Sequence, residues 1–103
     1  MKLYLVEVVT YGTSHPIKIG ITSNIERRLR RMPGMGIQCP RLIGFFEFSS
    51  KQAAMSVETA TRRAFPRFLR YGPISREILD ATEAEILNFI APRANVPFVR
   101  APE

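Results

Sequence analysis

Six consecutive residues, Ile17-Lys18-Ile19-Gly20-Ile21-Thr22, constrain the fold of this chain more than any other stretch. Every second one is isoleucine, and a period of two marks a strand with one face toward a core. Ile17, Ile19 and Ile21 are expected on the core face, and Lys18, Gly20 and Thr22 on the opposite, open face. The period then becomes helical. Ser23 with Glu26 has the form of a capping box, and Ile25, Leu29 and Met32 recur at the spacing of a buried stripe. Arg28 flanks that stripe, while Arg27, Arg30 and Arg31 spread over the more exposed arc. A lysine, a glycine and an arginine thus converge on a strand-to-helix corner suited to holding a phosphate.

The rest of the chain is read around this unit. Residues 3–9 (LYLVEVV) form a strand by composition. The turn-rich residues 10–16 would join it to Ile17–Thr22 as an antiparallel hairpin. The first helix, residues 24–32, stops at Pro33-Gly34. Residues 42–48 (LIGFFEF) make a third strand. Ser49 with Gln52 would cap a second helix, with Ala54, Val57, Thr61 and Phe65 along one face and Pro66 at its end. Residues 75–79 are a short extended piece. Thr82 with Glu85 opens a third helix that closes before Pro92. The expected class is α+β, a small three-stranded antiparallel sheet flanked by about three helices in the order β-β-α-β-α-α. At 103 residues this is one domain, taken as residues 1–91, followed by a proline-containing tail, residues 92–103.

The net charge of +6 directs attention to a polyanionic partner, with nucleic acid ahead of an anionic membrane surface. Twelve of the fifteen basic residues are arginine, whose fork suits phosphate better than the point charge of lysine. No apolar run reaches membrane-spanning length or resembles a signal peptide. Cys39 is the sole cysteine, which excludes an internal disulfide and fits a cytoplasmic location. The sequence has no zinc-type cluster, no serine–histidine–aspartate set and no glycine-rich phosphate loop.

Glu58 falls on or beside the buried face of the second helix, where a carboxylate is costly unless paired or metal-bound. Two readings stay open from spacing alone: an ordinary helix pair with Arg62 at i+4, or a metal ligand. Tyr4 points away from Leu3 and Leu5 in the first strand. A tyrosine, a lysine, an arginine and a carboxylate on separate elements of a basic domain form an inventory for metal-assisted phosphodiester cleavage.

These residues resemble a known family, the GIY-YIG nucleases. Lys2-Leu3-Tyr4 stands where that family has Gly-Ile-Tyr. Lys18-Ile19-Gly20 stands where it has Tyr-Ile-Gly. The segment KIGITSNIERRL matches closely, with Arg28 eight residues after Gly20, at the position of the family's arginine. MSVETATRRAF resembles the family's metal-binding helix, with Glu58 at the ligand position. Glu77-Ile78-Leu79 stands where a phage-type branch often has Glu-Trp-Phe, and that branch also carries Lys-Ile-Gly. The resemblance spans residue 3 to about residue 90.

The resemblance implies a nuclease domain hydrolysing DNA phosphodiester bonds with a single Mg²⁺ or Mn²⁺. Tyr4 would position or deprotonate the attacking water. Lys18 would contact phosphate or help lower the pKa of the phenol. Gly20 would allow close backbone approach, Arg28 would clamp the phosphate, and Glu58 would bind the metal. Arg27, Arg30, Arg31, Arg62, Arg67 and Arg70 are expected DNA contacts. Family members usually take specificity from attached domains, so an oligomer or a partner protein would supply it here. A second reading, from another class, is a catalytically degenerate nucleic-acid-binding module.

Overall fold

The structure is a computed structural model, and it describes residues 1–8, 16–37, 40–68 and 77–102. Among the described residues five strands form one sheet: β1 (Lys2–Val8), β2 (Ile17–Thr22), β3 (Pro40–Glu47), β4 (Ile78–Leu79) and β5 (Phe98–Arg100). Their order across the sheet is β4-β2-β1-β3-β5, and every pairing is antiparallel. Three α-helices join them, α1 (Ile25–Arg31), α2 (Lys51–Ala64) and α3 (Glu83–Ala94), with a one-turn 3₁₀ helix at Pro33–Met35. No helix among the described residues is long and apolar enough to cross a membrane.

The alternation in β1 and β2 determines which side chains meet. Leu3 lies opposite Ile21, and Leu5 opposite Ile19. Leu3, Leu5, Ile17 and Ile19 belong to a core completed by Ala54 and Val57 of α2 and by Ile86, Ile90 and Ala94 of α3. The other face is not open, contrary to the half-buried strand expected from the isoleucine pattern. Tyr4, Val6 and Val8 join Met32, Ile37 and Ile78 in a second core, against which Ile25 and Leu29 of α1 pack. The sheet is therefore sandwiched, and Lys18, on the supposed open face, is only 1% exposed. Seven residues of α1 carry too little helical stability alone; the Ile25, Leu29 and Met32 stripe docks it on the sheet.

The class agrees with the α+β expectation, but the sheet has five strands rather than three. The two additions are edge strands of two and three residues, too short for a period-two signal to register. β4 lies within the expected extended piece. β5 lies within residues 92–103, so that segment contributes to the sheet: Gly44, Phe45 and Phe46 of β3 pair with Arg100, Val99 and Phe98.

Helix boundaries differ by small, physically definite amounts. Asn24, not Ser23, caps α1, its side-chain oxygen accepting from the Arg27 N–H at 3.1 Å. The Thr22 hydroxyl holds that turn, accepting from the Asn24 N–H at 3.1 Å. Ser50, not Ser49, caps α2 by accepting from the Ala53 N–H at 3.1 Å. The Thr82–Glu85 capping box of α3 forms as expected. α3 continues through Pro92 to Ala94. Proline in that last turn removes one helical bond, to the carbonyl of exposed Asn88, which water can satisfy. Asn95 then ends the helix in the left-handed conformation, φ 56°.

Candidate functional site

A cleft of about 420 Å³ opens where β1, β2, α1 and α2 meet, with Glu77 at its rim just before β4. Tyr4, Gly20, Arg28 and Glu58 line it, together with Thr22 and Lys51. Each residue arrives for a local reason. Tyr4 alternates out of the Leu3/Leu5 face, and Gly20 is its cross-strand partner. Arg28 flanks the buried stripe of α1 and is partly exposed. Glu58 neighbours Val57 on the inward face of α2 and is 8% exposed.

The pairing of Tyr4 with Gly20 gives the glycine a packing role beside the backbone approach to a ligand expected of it. A Cβ on residue 20 would lie 2.6 Å from Tyr4 Cζ and 2.9 Å from Cε2, distances that carbon atoms do not share. Gly20 makes room for the tyrosine ring. Gly20→Ala should therefore expel the ring and cost about 1–3 kcal/mol as overpacking. A thermal melt reads this as a fall of roughly 4–8 °C per kcal/mol in a domain of this size. An unchanged melting temperature would mean the ring is free to move aside.

Lys18 lies beneath the cleft. Its ammonium donates to Tyr4 Oη at 3.0 Å and to Glu77 Oε2 at 3.2 Å. A lysine ammonium only donates, so the phenol oxygen acts as acceptor toward Lys18 and its own O–H is left to point elsewhere. Of the two roles expected of Lys18, direct contact with phosphate and support of the phenol, the hydrogen bond to Tyr4 fits the second.

Burial pushes the Glu58 carboxyl above the ordinary carboxylate range. The Arg62 guanidinium, 3.5 Å away on the next turn, opposes this. The negative charge of Glu77 adds to the upward push, and Lys18 and Arg28 pull weakly down. The i+4 pair with Arg62 therefore exists, yet it does not neutralise the burial of Glu58. Arg28 has no ion-pair partner among the described residues, so its guanidinium is available to an anion in the cleft.

The remaining arginines separate by position. Arg27 and Arg31 line a second, smaller cleft of about 200 Å³ beside the first, sharing Arg28, Thr22 and Ser23 with it. Arg30 and Arg67 are exposed and line neither cleft. Arg70, together with His15, Cys39 and Tyr71, lies outside the described residues.

Glu77 is the functional candidate that the residues alone did not single out. The only signal was its place at the head of Glu77-Ile78-Leu79; nothing in the local pattern pairs it with a lysine 59 positions earlier. Lys51, at the first position of α2, likewise carries no local signal.

A divalent cation can be tested against the donors present. Among the described residues no group of three or more histidine, cysteine, aspartate or glutamate side chains is placed to hold a metal. Mg²⁺, however, is commonly bound by only one or two carboxylates, with water and substrate phosphate completing its shell. Glu58 and Glu77 line one cleft, and the Glu58 carboxyl is held in a state that a cation would relieve. Carboxylate oxygens are the donor type a hard divalent ion takes, and of the two, Glu77 is already ion-paired with Lys18.

Comparison with known proteins gives one similarity: the family model described as the T5orf172 domain matches residues 1–92. The comparisons with curated proteins and with solved structures return no match.

Proposed function

The chain belongs to the T5orf172 domain family, and we propose that it is a divalent-metal-dependent endonuclease acting on DNA, with a GIY-YIG-like catalytic arrangement. The observation that carries this reading is the meeting of Tyr4, Arg28 and Glu58 in one cleft, with Lys18 hydrogen-bonded to the phenol of Tyr4.

In this reading Tyr4 first gives its own O–H proton to solvent, and the phenolate, held by the hydrogen bond from Lys18, then takes a proton from the attacking water. Burial of Lys18 strengthens that interaction. Arg28 clamps the scissile phosphate with its fork, and its charge opposes the charge that builds on the phosphoryl oxygens. Lys51, in the same cleft, adds a second positive charge. Glu58 would hold Mg²⁺ or Mn²⁺, with Glu77 lining the same cleft. A cation held there would supply Lewis-acid stabilisation of the same developing charge. A bond forms from the water oxygen to phosphorus as the bond to the sugar oxygen breaks. The water proton passes to Tyr4, and the departing oxygen takes one from solvent. Arg27, Arg30, Arg31, Arg62 and Arg67 contact the DNA backbone, and a second copy or a partner protein supplies specificity.

The test is nicking of supercoiled plasmid with and without Mg²⁺ or Mn²⁺. Arg28→Ala should lower the cleavage rate by about 10²–10³, as loss of one transition-state donor does elsewhere. A wild-type protein that never cuts plasmid, single-stranded or branched DNA with either metal would sink the nuclease reading. Retained gel shifts in that event would favour the silent binding module.

A further inference from the structure

The smaller cleft beside the catalytic one points to a more specific feature of the substrate. It is lined by Thr22, Ser23, Asn24, Arg27, Arg28 and Arg31. Three of these are cationic and none is acidic, whereas the main cleft carries two carboxylates. Arg27 and Arg31 stand at i and i+4 on one face of α1, an arrangement that repels in an isolated helix. Neither has an ion-pair partner among the described residues. The Asn24 side-chain oxygen is spent on capping α1 and the Thr22 hydroxyl on the turn. The Ser23 hydroxyl and the Asn24 amide group remain as donors at the rim.

Such a cleft suits a small anion with several acceptor oxygens. Its connection with the catalytic cleft through Thr22, Ser23 and Arg28 says where that anion belongs. We propose that the Arg27/Arg31 cleft seats the backbone phosphate adjacent to the scissile one, so that the substrate strand passes over the Thr22–Ser23 rim with Arg28 between two successive phosphates. This rests on the endonuclease reading above and deepens it. The preferred substrate is a strand continuing past the cleavage point on this side, and a substrate ending there in a bare hydroxyl is held poorly.

The experiment compares binding of a thymidine dinucleotide with and without an added terminal phosphate, on either end, in metal-free buffer with EDTA. Competition against a labelled oligonucleotide reads the affinities. The wild-type protein should gain about tenfold from the phosphate at one end and not at the other, the scale of one charge-assisted hydrogen bond. The double variant Arg27→Ala/Arg31→Ala should lose that gain. Its salt dependence on the labelled oligonucleotide should also fall by about one phosphate's worth, a change of roughly 0.7–0.9 in log–log slope. Arg93→Gln, a loss of charge on α3, should keep the gain.

Because the readout is a ratio within each protein, an overall loss of affinity or partial unfolding does not imitate the result. A double variant that keeps the gain overturns the proposal, and so does a wild type that gains at neither end. If the wild type cuts no DNA, the nuclease reading fails by itself. The dinucleotide ratio then still decides whether this cleft binds a neighbouring phosphate.

Discussion

Glu58→Gln is expected to abolish metal-dependent cleavage while leaving the protein at least as stable as wild type. The amide keeps the shape and polarity of the side chain on the inward face of α2 but cannot supply an anionic oxygen to Mg²⁺ or Mn²⁺. The stability half follows from the carboxyl itself. Burial, with help from Glu77, raises the folded-state pKa of Glu58 above its ordinary value of 4.5. The folded protein therefore holds the proton more tightly than the unfolded chain does. The stability this contributes is full below the unfolded pKa and is lost as pH rises through the folded value. At neutral pH without metal, wild type carries a buried charge that the glutamine variant does not. Each kcal/mol recovered raises the melting temperature by roughly 4–8 °C.

Thermal melts from pH 4 to pH 8 check this: the advantage of Glu58→Gln should be small at the acid end and larger at neutral pH. Added Mg²⁺ should raise the wild-type melting temperature and not that of the variant, because binding to the folded state alone stabilises it. If the variant melts lower than wild type at neutral pH, the Arg62 pair matters more than the burial cost. If it still cuts DNA, Glu58 is not the ligand.

Lys18→Met is expected to have the second-largest effect, a loss of about 10²–10⁴ in cleavage rate, the scale of an acid–base contribution. Methionine fills most of the volume of the lysine stem in the second core. It removes the donor 3.0 Å from Tyr4 Oη and leaves Glu77 without its ammonium partner. Glu77 is 30% exposed in its side chain and can turn to water, so the fold should survive with a cost of about 1–3 kcal/mol. Lys18→Arg should not restore the rate, since a planar guanidinium cannot occupy a site shaped for a compact ammonium. Single-turnover cleavage beside a melting curve separates the two effects. A Lys18→Met protein that folds and cuts at the wild-type rate would remove the Lys18–Tyr4 pair from the mechanism.

Much of this architecture is legible in local patterns. The isoleucine alternation marks β2, the stripe of Ile25, Leu29 and Met32 marks α1, and Thr82 with Glu85 marks the start of α3. These signals rest on neighbours within a few residues, so they survive without knowledge of the fold. The spacing Ala54–Glu58–Thr61 is of the same kind, and Glu58 is indeed buried.

Other features depend on residues that meet only after folding. β4 and β5 are strands because β2 and β3 offer edges to pair with, not because two or three residues prefer to be extended. Lys18 reads as a solvated lysine until α1 folds back over its face of the sheet. Gly20 reads only as a glycine that lets a ligand approach the backbone until the β1–β2 register places Tyr4 across from it. Glu77 reads as an unremarked acid until the sheet brings it to Lys18.

The sequence alone therefore determined the elements, the α+β class and the identities of the chemical groups, because period, capping and charge are local properties of the chain. Only the tertiary structure decided which groups share a cleft and which lysine is buried. Strand order and the docking of α1 set those distances, and both come from burying two apolar faces of one sheet rather than from any single stretch of residues.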